Sequence, residues 1–256
     1  MQIFRGFHHA AVAPACALTI GNFDGVHRGH QAMLALLRSE ARHRGVPSCV
    51  MTFEPHPRDY FADVYKQPDL APARIATLRD KLNELAACGV QQCVVLPFNE
   101  KLASLSPSDF IDKVLVQGLG VKYVLVGDDF RFGAKRLGDY AMLDAAGAEL
   151  GFDVARMNSY EVRGLRVSSS AVREALARGA MDEVAQLLGR DLARALAPDH
   201  AQALALAQRH HHEVARSNLR VLGNAVIVSV GQGQRQQVAG CLVVCLVFVC
   251  LFGLFA

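Results

Sequence analysis

Short apolar runs separated by amphipathic stretches fill the chain from residue 15 to about 190, and this alternation leaves few architectures open. Residues 16–20, 48–53, 92–97, 122–126 and 152–155 read as buried strands, being short, mostly rich in Val, Leu, Ile or Phe, and usually flanked by Gly or Pro. Between them lie helical signals. Residues 29–44 place Met33, Leu34, Leu36 and Leu37 inward and Arg38, Glu40, Arg42 and Arg44 outward, then stop at Gly45, a C′ glycine. Residues 74–88 stop in the same way at Gly89, and Ser106-Pro107 followed by Asp109 reads as an N-cap, a proline at N1 and an acidic first turn. Strand–helix alternation at this period predicts a parallel sheet covered by helices on both faces. The expected fold is therefore a doubly wound, Rossmann-like α/β domain with ligands at the carboxyl ends of its strands.

Composition narrows the function classes. Apolar residues make up 52% of the 256 positions, enough for a packed core. Lys plus Arg (27) barely exceeds Asp plus Glu (24), so the net charge of +3 gives no nucleic-acid footprint. The 7 cysteines lack CxxC spacing, which argues against a disulfide framework or a zinc cage and fits a reducing, cytoplasmic setting. Pro14 and the strand at 16–20 interrupt any signal-peptide pattern, so the mature protein is expected to begin at the start of the sequence.

The texture changes after Gly189-Arg190, dividing the chain into a domain at 1–190 and an atypical tail at 191–256. Residues 191–215 are rich in Ala, Leu, Arg and His, with Pro198 interrupting a helix, and 218–230 hold one strand-like run. Residues 238–256 contain no charged side chain and approach the roughly 20 apolar residues that a membrane-spanning helix needs. The nearest flanking charges, Arg216, Arg220 and Arg235, would hold the preceding domain on the cytoplasmic side. A buried element, an unfolded tail and a tail anchor are the alternatives for this segment, and it offers the sole route to a membrane. The pattern specifies no oligomeric state.

The richest stretch, Gly21-Asn22-Phe23-Asp24-Gly25-Val26-His27-Arg28-Gly29-His30, follows the first strand and opens the first helix. Free N–H groups and the helix dipole favour phosphate at such a terminus, and Gly29 would let a nucleotide approach the backbone. Imidazole N–H groups can stabilise charge on a phosphoryl group or a leaving pyrophosphate. A metal pair is less attractive, since no third ligand lies close in sequence, and no metal ligand is assigned. A second constellation, Arg166-Val167-Ser168-Ser169-Ser170-Ala171-Val172-Arg173, precedes an apolar-periodic run. Ser168 or Ser169 is a natural N-cap, and hydroxyls, N–H groups and two arginines would converge on an anion.

These two motifs together resemble the HxGH nucleotidyltransferase superfamily. Phe53-Glu54-Pro55-His56-Pro57 after the second strand and Gly127-Asp128-Asp129-Phe130-Arg131-Phe132-Gly133 after the fourth narrow the likeness. Over roughly residues 1–190 the chain resembles the FMN adenylyltransferase module of prokaryotic bifunctional riboflavin kinase/FAD synthetases. The resemblance implies that ATP and FMN are converted to FAD and pyrophosphate, with magnesium. It implies that His27 and His30 stabilise the α-phosphoryl transition state and the departing pyrophosphate, and that Ser169 and Arg173 hold the outer phosphates with Arg166 nearby. Gly21, Phe23 and Asp24 would line the adenosine-phosphate turn, and Asp129 stands where the family places Asn or Asp beside nucleotide and flavin. Phe53, His56, Phe130 and Phe132 are candidates for the flavin region, each with core packing or loop scaffolding as the alternative. Ser170 replaces the family's usual threonine and keeps the hydroxyl. Transfer between two bound anions needs positioning and charge neutralisation, so in-line attack without an enzyme-bound nucleotide is expected.

A full-length family member continues from the Leu-Leu-Gly-Arg stretch into a β-barrel kinase domain with a Pro-Thr-Ala/Thr-Asn motif. No such motif occurs in this sequence, so riboflavin kinase activity is not expected, and the tail reads as a divergent or out-of-frame ending or as an appended anchor. Two alternatives to FAD synthesis stand beside it. One is another HxGH adenylyltransferase, acting on a pantetheine or nicotinate-mononucleotide phosphate; the other is a non-catalytic, membrane-tethered flavin or nucleotide sensor.

Overall fold

A computed structural model describes residues 1–162 and 164–190. The expectations for 191–256, including the apolar segment 238–256, lie outside the described residues. Among the described residues no helix is long and apolar enough to cross a membrane.

Six parallel strands form one sheet: β1 (Gln2–Arg5), β2 (Cys16–Ile20), β3 (Ser48–Glu54), β4 (Gln92–Pro97), β5 (Val121–Gly127) and β6 (Asp153–Met157). Their order across the sheet is β1-β4-β3-β2-β5-β6. The chain leaves β2 toward β3 on one side and later returns to place β5 on the other, which makes the β2/β5 boundary the topological switch point. The loops following β2 and β5 carry the two Gly-rich motifs, so the topology alone brings those motifs side by side.

Both faces of the sheet are covered, as the near-continuous apolar strands require. Helix α1 (Arg28–His43) buries Leu34, Leu37 and Ala41, and α3 (Leu78–Ala87) buries Leu85, against one face. On the other face, a π-helical stretch at Phe110–Val116 contributes Phe110, Ile111, Val114 and Leu115, and α6 (Tyr140–Leu150) contributes Leu143. That stretch follows a short helix, α5 (Pro107–Asp109), capped by the Ser106 hydroxyl as its sequence foretells. Between these lie α2 (Pro57–Tyr65) and α4 (Glu100–Ala103). A hairpin of β7 (Glu161–Val162) and β8 (Leu165–Arg166) leads into α7 (Ser169–Ala177) and α8 (Met181–Leu188). These two helices share a small core of Val172, Ala175, Val184, Leu187 and Leu188 with Ile75 and Val167.

Three details depart from the sequence reading. Strand β1 was not expected; its four residues form an edge strand beside β4 in which Phe4 alone is buried, too brief a pattern to register. The helix expected at 74–88 begins at Leu78, because Thr77 and Asp80 form a reciprocal capping box and the N–H groups of Ile75 and Ala76 point instead at Asp24. The last large strand runs from Asp153 to Met157, with Phe152 packed in the core before it.

Candidate active site

The turn after β2 is built on unusual backbone. Phe23, Gly25 and Val26 all have positive φ (49°, 79° and 40°), a conformation costly for a β-branched residue and sustained only where surroundings dictate it. Those surroundings are specific. Phe23 and Val26 are buried in the α1 side of the core. The Asp24 carboxylate, 2% exposed, accepts N–H bonds from Ile75 and Ala76 (3.2 Å each) and pairs with Arg173 Nη2 at 2.5 Å. The Ser169 hydroxyl donates to the Asp24 carbonyl at 2.9 Å. The turn that opens α1 and the start of α7 are therefore fastened to each other through one aspartate, Asp24 and Ser169 being 145 residues apart in sequence.

His27 caps α1. Its Nδ1 accepts the His30 N–H at 3.3 Å, which leaves the ring proton on Nε2 in the neutral form. The two imidazoles stack, with centroids 3.6 Å apart and planes 15° from parallel. Burial pushes the His27 pKa down to about 4; Asp24 opposes this, while Arg173 and Arg190 add to it. Burial likewise holds His30 well below its ordinary range, helped by His27 and Lys81. Near neutral pH both rings are uncharged hydrogen-bonding groups rather than cations. Among the described residues, His30 Nδ1 is buried and has no hydrogen-bond partner.

The expected residues divide into three groups. His27, Gly29, His30, Asp24, Ser169 and Arg173 are brought together, but some have other tasks than those the sequence suggests. Asp24 does not line a ligand turn with a free carboxylate; it is the buried anchor of Arg173. Phe23 is 1% exposed, so its ring is core, in contact with His30 (centroids 4.9 Å), and only its backbone can border the turn. Gly21 keeps clear of that ring, since a Cβ there would lie 3.1 Å from Phe23 Cε2. The space over Gly29 belongs to the protein: a Cβ would meet the His27 ring at 3.2 Å and the Val167 carbonyl at 3.4 Å. Ser168 is the N-cap of α7, accepting from the Ala171 N–H, which leaves Ser169 free to reach Asp24. Arg173 spends its Nε–H on the Ala73 carbonyl (2.7 Å) and one Nη2–H on Asp24, so three of its five N–H donors remain.

Arg166 and Asp129 form the second group. Both are exposed at the strand ends, and Arg166 pairs with Asp128 (3.4 Å) rather than converging with Arg173. The third group holds the flavin candidates, of which two are scaffold. His56, 4% exposed, is the N-cap of α2, its Nδ1 accepting the Arg58 N–H at 3.1 Å; burial and Arg74 lower its pKa to about 4. Phe132 is buried against Phe110 and exchanges backbone bonds with Gly138. Phe53 and Phe130 are half-buried, the first edge-on to Phe98 (5.7 Å) and the second stacked on Phe132 (5.5 Å).

Two residues near the site escaped the sequence reading. Lys81, 1% exposed, donates to the Thr52 hydroxyl at 3.4 Å, and burial, then Arg74, depresses its pKa. Its signal was positional: with Leu78, Leu82 and Leu85 it occupies the apolar stripe of α3, where a lysine has no ordinary reason to be. The other is Arg190, which reaches back to the turn carbonyls of Gly25 and Val26.

Comparison with known proteins agrees with this geometry. A family model described as FAD synthetase matches residues 9–171. The chain is 48% identical over 206 residues to a bifunctional riboflavin kinase/FMN adenylyltransferase of Pseudomonas fluorescens, covering 80% of this chain and 64% of that protein. It is 47% identical over 195 residues to the protein of the same description from Escherichia coli K12, covering 75% and 61%. The chain thus spans less than two thirds of the length of either relative. A crystal structure titled as a macrolide-efflux protein from Streptococcus pneumoniae shares the fold (TM-score 0.59, 23% identity, 74% of this chain and 61% of that one). With the family model matching well over half its length, the chain belongs to the FAD synthetase family.

Proposed function

We propose that residues 1–190 form an FMN adenylyltransferase domain that transfers AMP from ATP to the phosphate of FMN, releasing pyrophosphate and giving FAD. The observation that carries this reading is the fastening of the paired imidazoles at the start of α1 to Ser169 and Arg173 at the start of α7 through Asp24. Two helix N-termini and a cation directed at one place suit a triphosphate.

In this reading an FMN phosphate oxygen attacks the α-phosphorus in line, a new P–O bond forms, and the bond to the β-phosphate oxygen breaks. Neutral His27 donates from Nε2 to the non-bridging or leaving oxygens, so charge is stabilised without prior protonation of the ring. His30 lies against it and supplies the second ring. The spare N–H groups of Arg173 and the exposed Arg166 serve the outer phosphates, and Asp129 borders nucleotide and acceptor. Among the described residues no group of three His, Cys, Asp or Glu side chains forms a metal cage. Magnesium would enter with ATP and supply positive charge that helps neutralise the phosphates. The half-buried Phe53 and Phe130 are the aromatic surfaces offered to the flavin.

The test is incubation of the chain with MgATP and FMN, with FAD and pyrophosphate as products. FAD formed from FMN, with no adduct from 4′-phosphopantetheine or nicotinate mononucleotide, supports the proposal; absence of FAD defeats it. Riboflavin supplied instead of FMN is expected to remain unphosphorylated, since the sequence contains no Pro-Thr pair.

A further inference from the structure

The strained turn before His27 is held from an unexpected direction. Its two carbonyls, Gly25 and Val26, face the end of α8 rather than a ligand. Arg190, just past the α8 cap residue Gly189, donates from Nη2 to the Gly25 carbonyl (2.7 Å) and from Nη1 to the Val26 and Leu188 carbonyls (3.2 and 3.3 Å). Gln31 joins the same two elements, its Nε2 lying 2.9 Å from the Val26 carbonyl and 2.8 Å from that of Leu188. Glu84 of α3 lies 3.5 Å from Arg190 Nε and supplies the counter-charge. The arginine side chain is 14% exposed, buried among backbone acceptors that belong to a turn 164 residues away.

An arginine that merely closed its own helix would bond the last carbonyls of α8 alone. Here the fork spans two successive carbonyls of a turn whose residues both have positive φ, a shape that a single ammonium could not match. The next residue is His27, and its ring direction follows from the backbone at Val26.

We propose that Arg190 is a positioning residue for adenylyl transfer, a strap from the end of α8 that holds the Gly25–Val26 turn so that His27 Nε2 points at the phosphates. The inference rests on the proposed function for its kinetic readout. Arg190 itself touches no substrate.

The experiment compares the full chain with Arg190→Ala and Arg190→Lys, using Arg178→Ala as a control on the exposed Arg178–Glu183 pair of the same helix hairpin. Arg190→Ala is expected to lower kcat at least tenfold while KM for ATP moves less than threefold. Arg190→Lys should recover only part of the loss, millimolar guanidinium should restore part of the Ala variant's turnover, and the control should match the parent. A kcat within twofold of the parent in folded Arg190→Ala, whatever its melting temperature, overturns the proposal. If the Ala variant does not fold, Arg190→Lys decides by the same threshold. A second readout needs no turnover: titration of the His27 ring by NMR. The charged and titratable groups around that ring are Asp24, His30, Arg173 and Arg190. Loss of Arg190 removes a positive charge and loosens the turn, both of which raise the His27 pKa from about 4 toward 6.5. Should the parent chain make no FAD, the proposed function fails, and the same titration in Arg190→Lys, which keeps the positive charge, decides the strap: an upward His27 shift there supports it and an unchanged His27 refutes it.

Discussion

The turn after β2 and the loop after β5 leave neighbouring strands at the switch point, yet they are made on opposite principles. In the turn, Phe23, Asp24, Val26 and His27 are 1%, 2%, 0% and 6% exposed. Its polar groups are bonded to three distant places, at Ile75–Ala76, Ser169–Arg173 and Arg190. In the loop, Asp128, Asp129 and Arg131 are exposed, Leu137 is 69% exposed, and Phe132 with its Gly138 bridge anchors the rest. In the proposed reaction the turn, as the transition-state end, is thus preorganised, and the loop, as the acceptor end, adaptable. This is what phosphoryl-type transfer needs: fixed dipoles where charge develops, and give where a bulky substrate must enter. Substitutions in the turn should therefore strike turnover or folding, and substitutions in the loop should strike acceptor affinity.

The largest effect is expected at His30. His30→Ala removes one of two stacked neutral rings and should lower kcat by roughly 10²–10³-fold, with the FMN KM nearly unchanged. A kcat within a few-fold of the parent would show that His27 suffices. Asp24→Asn comes next. It leaves Arg173 and the Ile75 and Ala76 N–H groups without their anion, and should destabilise the domain by about 3 kcal/mol in chemical denaturation. It should also cost turnover, because Arg173 loses the carboxylate that holds it beside the turn, although the Ser169 bond to the backbone carbonyl remains. A fully stable Asn variant would mean that the hydrogen bonds, and not the charge, hold the site.

Acid should act on the same region with a defined sign. His27 and His56 have pKa values of about 4 in the folded chain against 6.5 when unfolded, and burial holds His30 well below its ordinary range too. Between those values the unfolded chain binds more protons than the folded one. The stabilisation from burying neutral rings is complete above pH 6.5 and is lost as pH falls toward 4. The melting temperature should fall across that window, by roughly 2–4 °C for each kcal/mol lost. His56→Asn keeps a capping acceptor at α2 and removes one titrating ring, so its melting curve should be less sensitive to pH there. An identical slope would take His56 out of the acid response.

What was legible in the sequence follows the same division. The sheet was readable because its central strands are buried on both faces and so appear as uninterrupted apolar runs. The helix ends at Gly45 and Gly89 were readable because the chain there needs left-handed glycine (φ 64° and 77°). The HxGH and Ser/Arg motifs were correctly joined, yet the joint itself was not visible: Asp24 looks like a ligand residue until its carboxylate is seen to receive two backbone N–H groups and a guanidinium. Arg190 was hidden for the same reason, since a charge buried by partners far along the chain has no local pattern, whereas Lys81 showed only as a lysine within the apolar stripe of α3. The flavin candidates show the converse case. Aromatics and a histidine within a motif suggest a ligand, but His56 Nδ1 caps α2 and Phe132 is a wedge under Gly138, where a Cβ would come within 2.7 Å of the ring.

The smallest expected effect is also the one that separates a flavin surface from loop packing. Phe130 is half-buried and stacks on Phe132 at 5.5 Å, with a 20° angle between rings, so one face is spoken for and the remainder of the side chain is available. Phe130→Leu retains most of the apolar bulk against Phe132 while removing the flat face. If that face receives the isoalloxazine, the FMN KM should rise about three- to tenfold, since an aromatic pair is worth about 0.5–1.5 kcal/mol beyond its area. The ATP KM, kcat and melting temperature should barely move. A substitution that lowers the melting temperature and leaves the FMN KM alone would place Phe130 with Phe132 in the scaffold and shift the acceptor contact toward Phe53. Either result would fix how far the adaptable half of the site extends from the edge of β5.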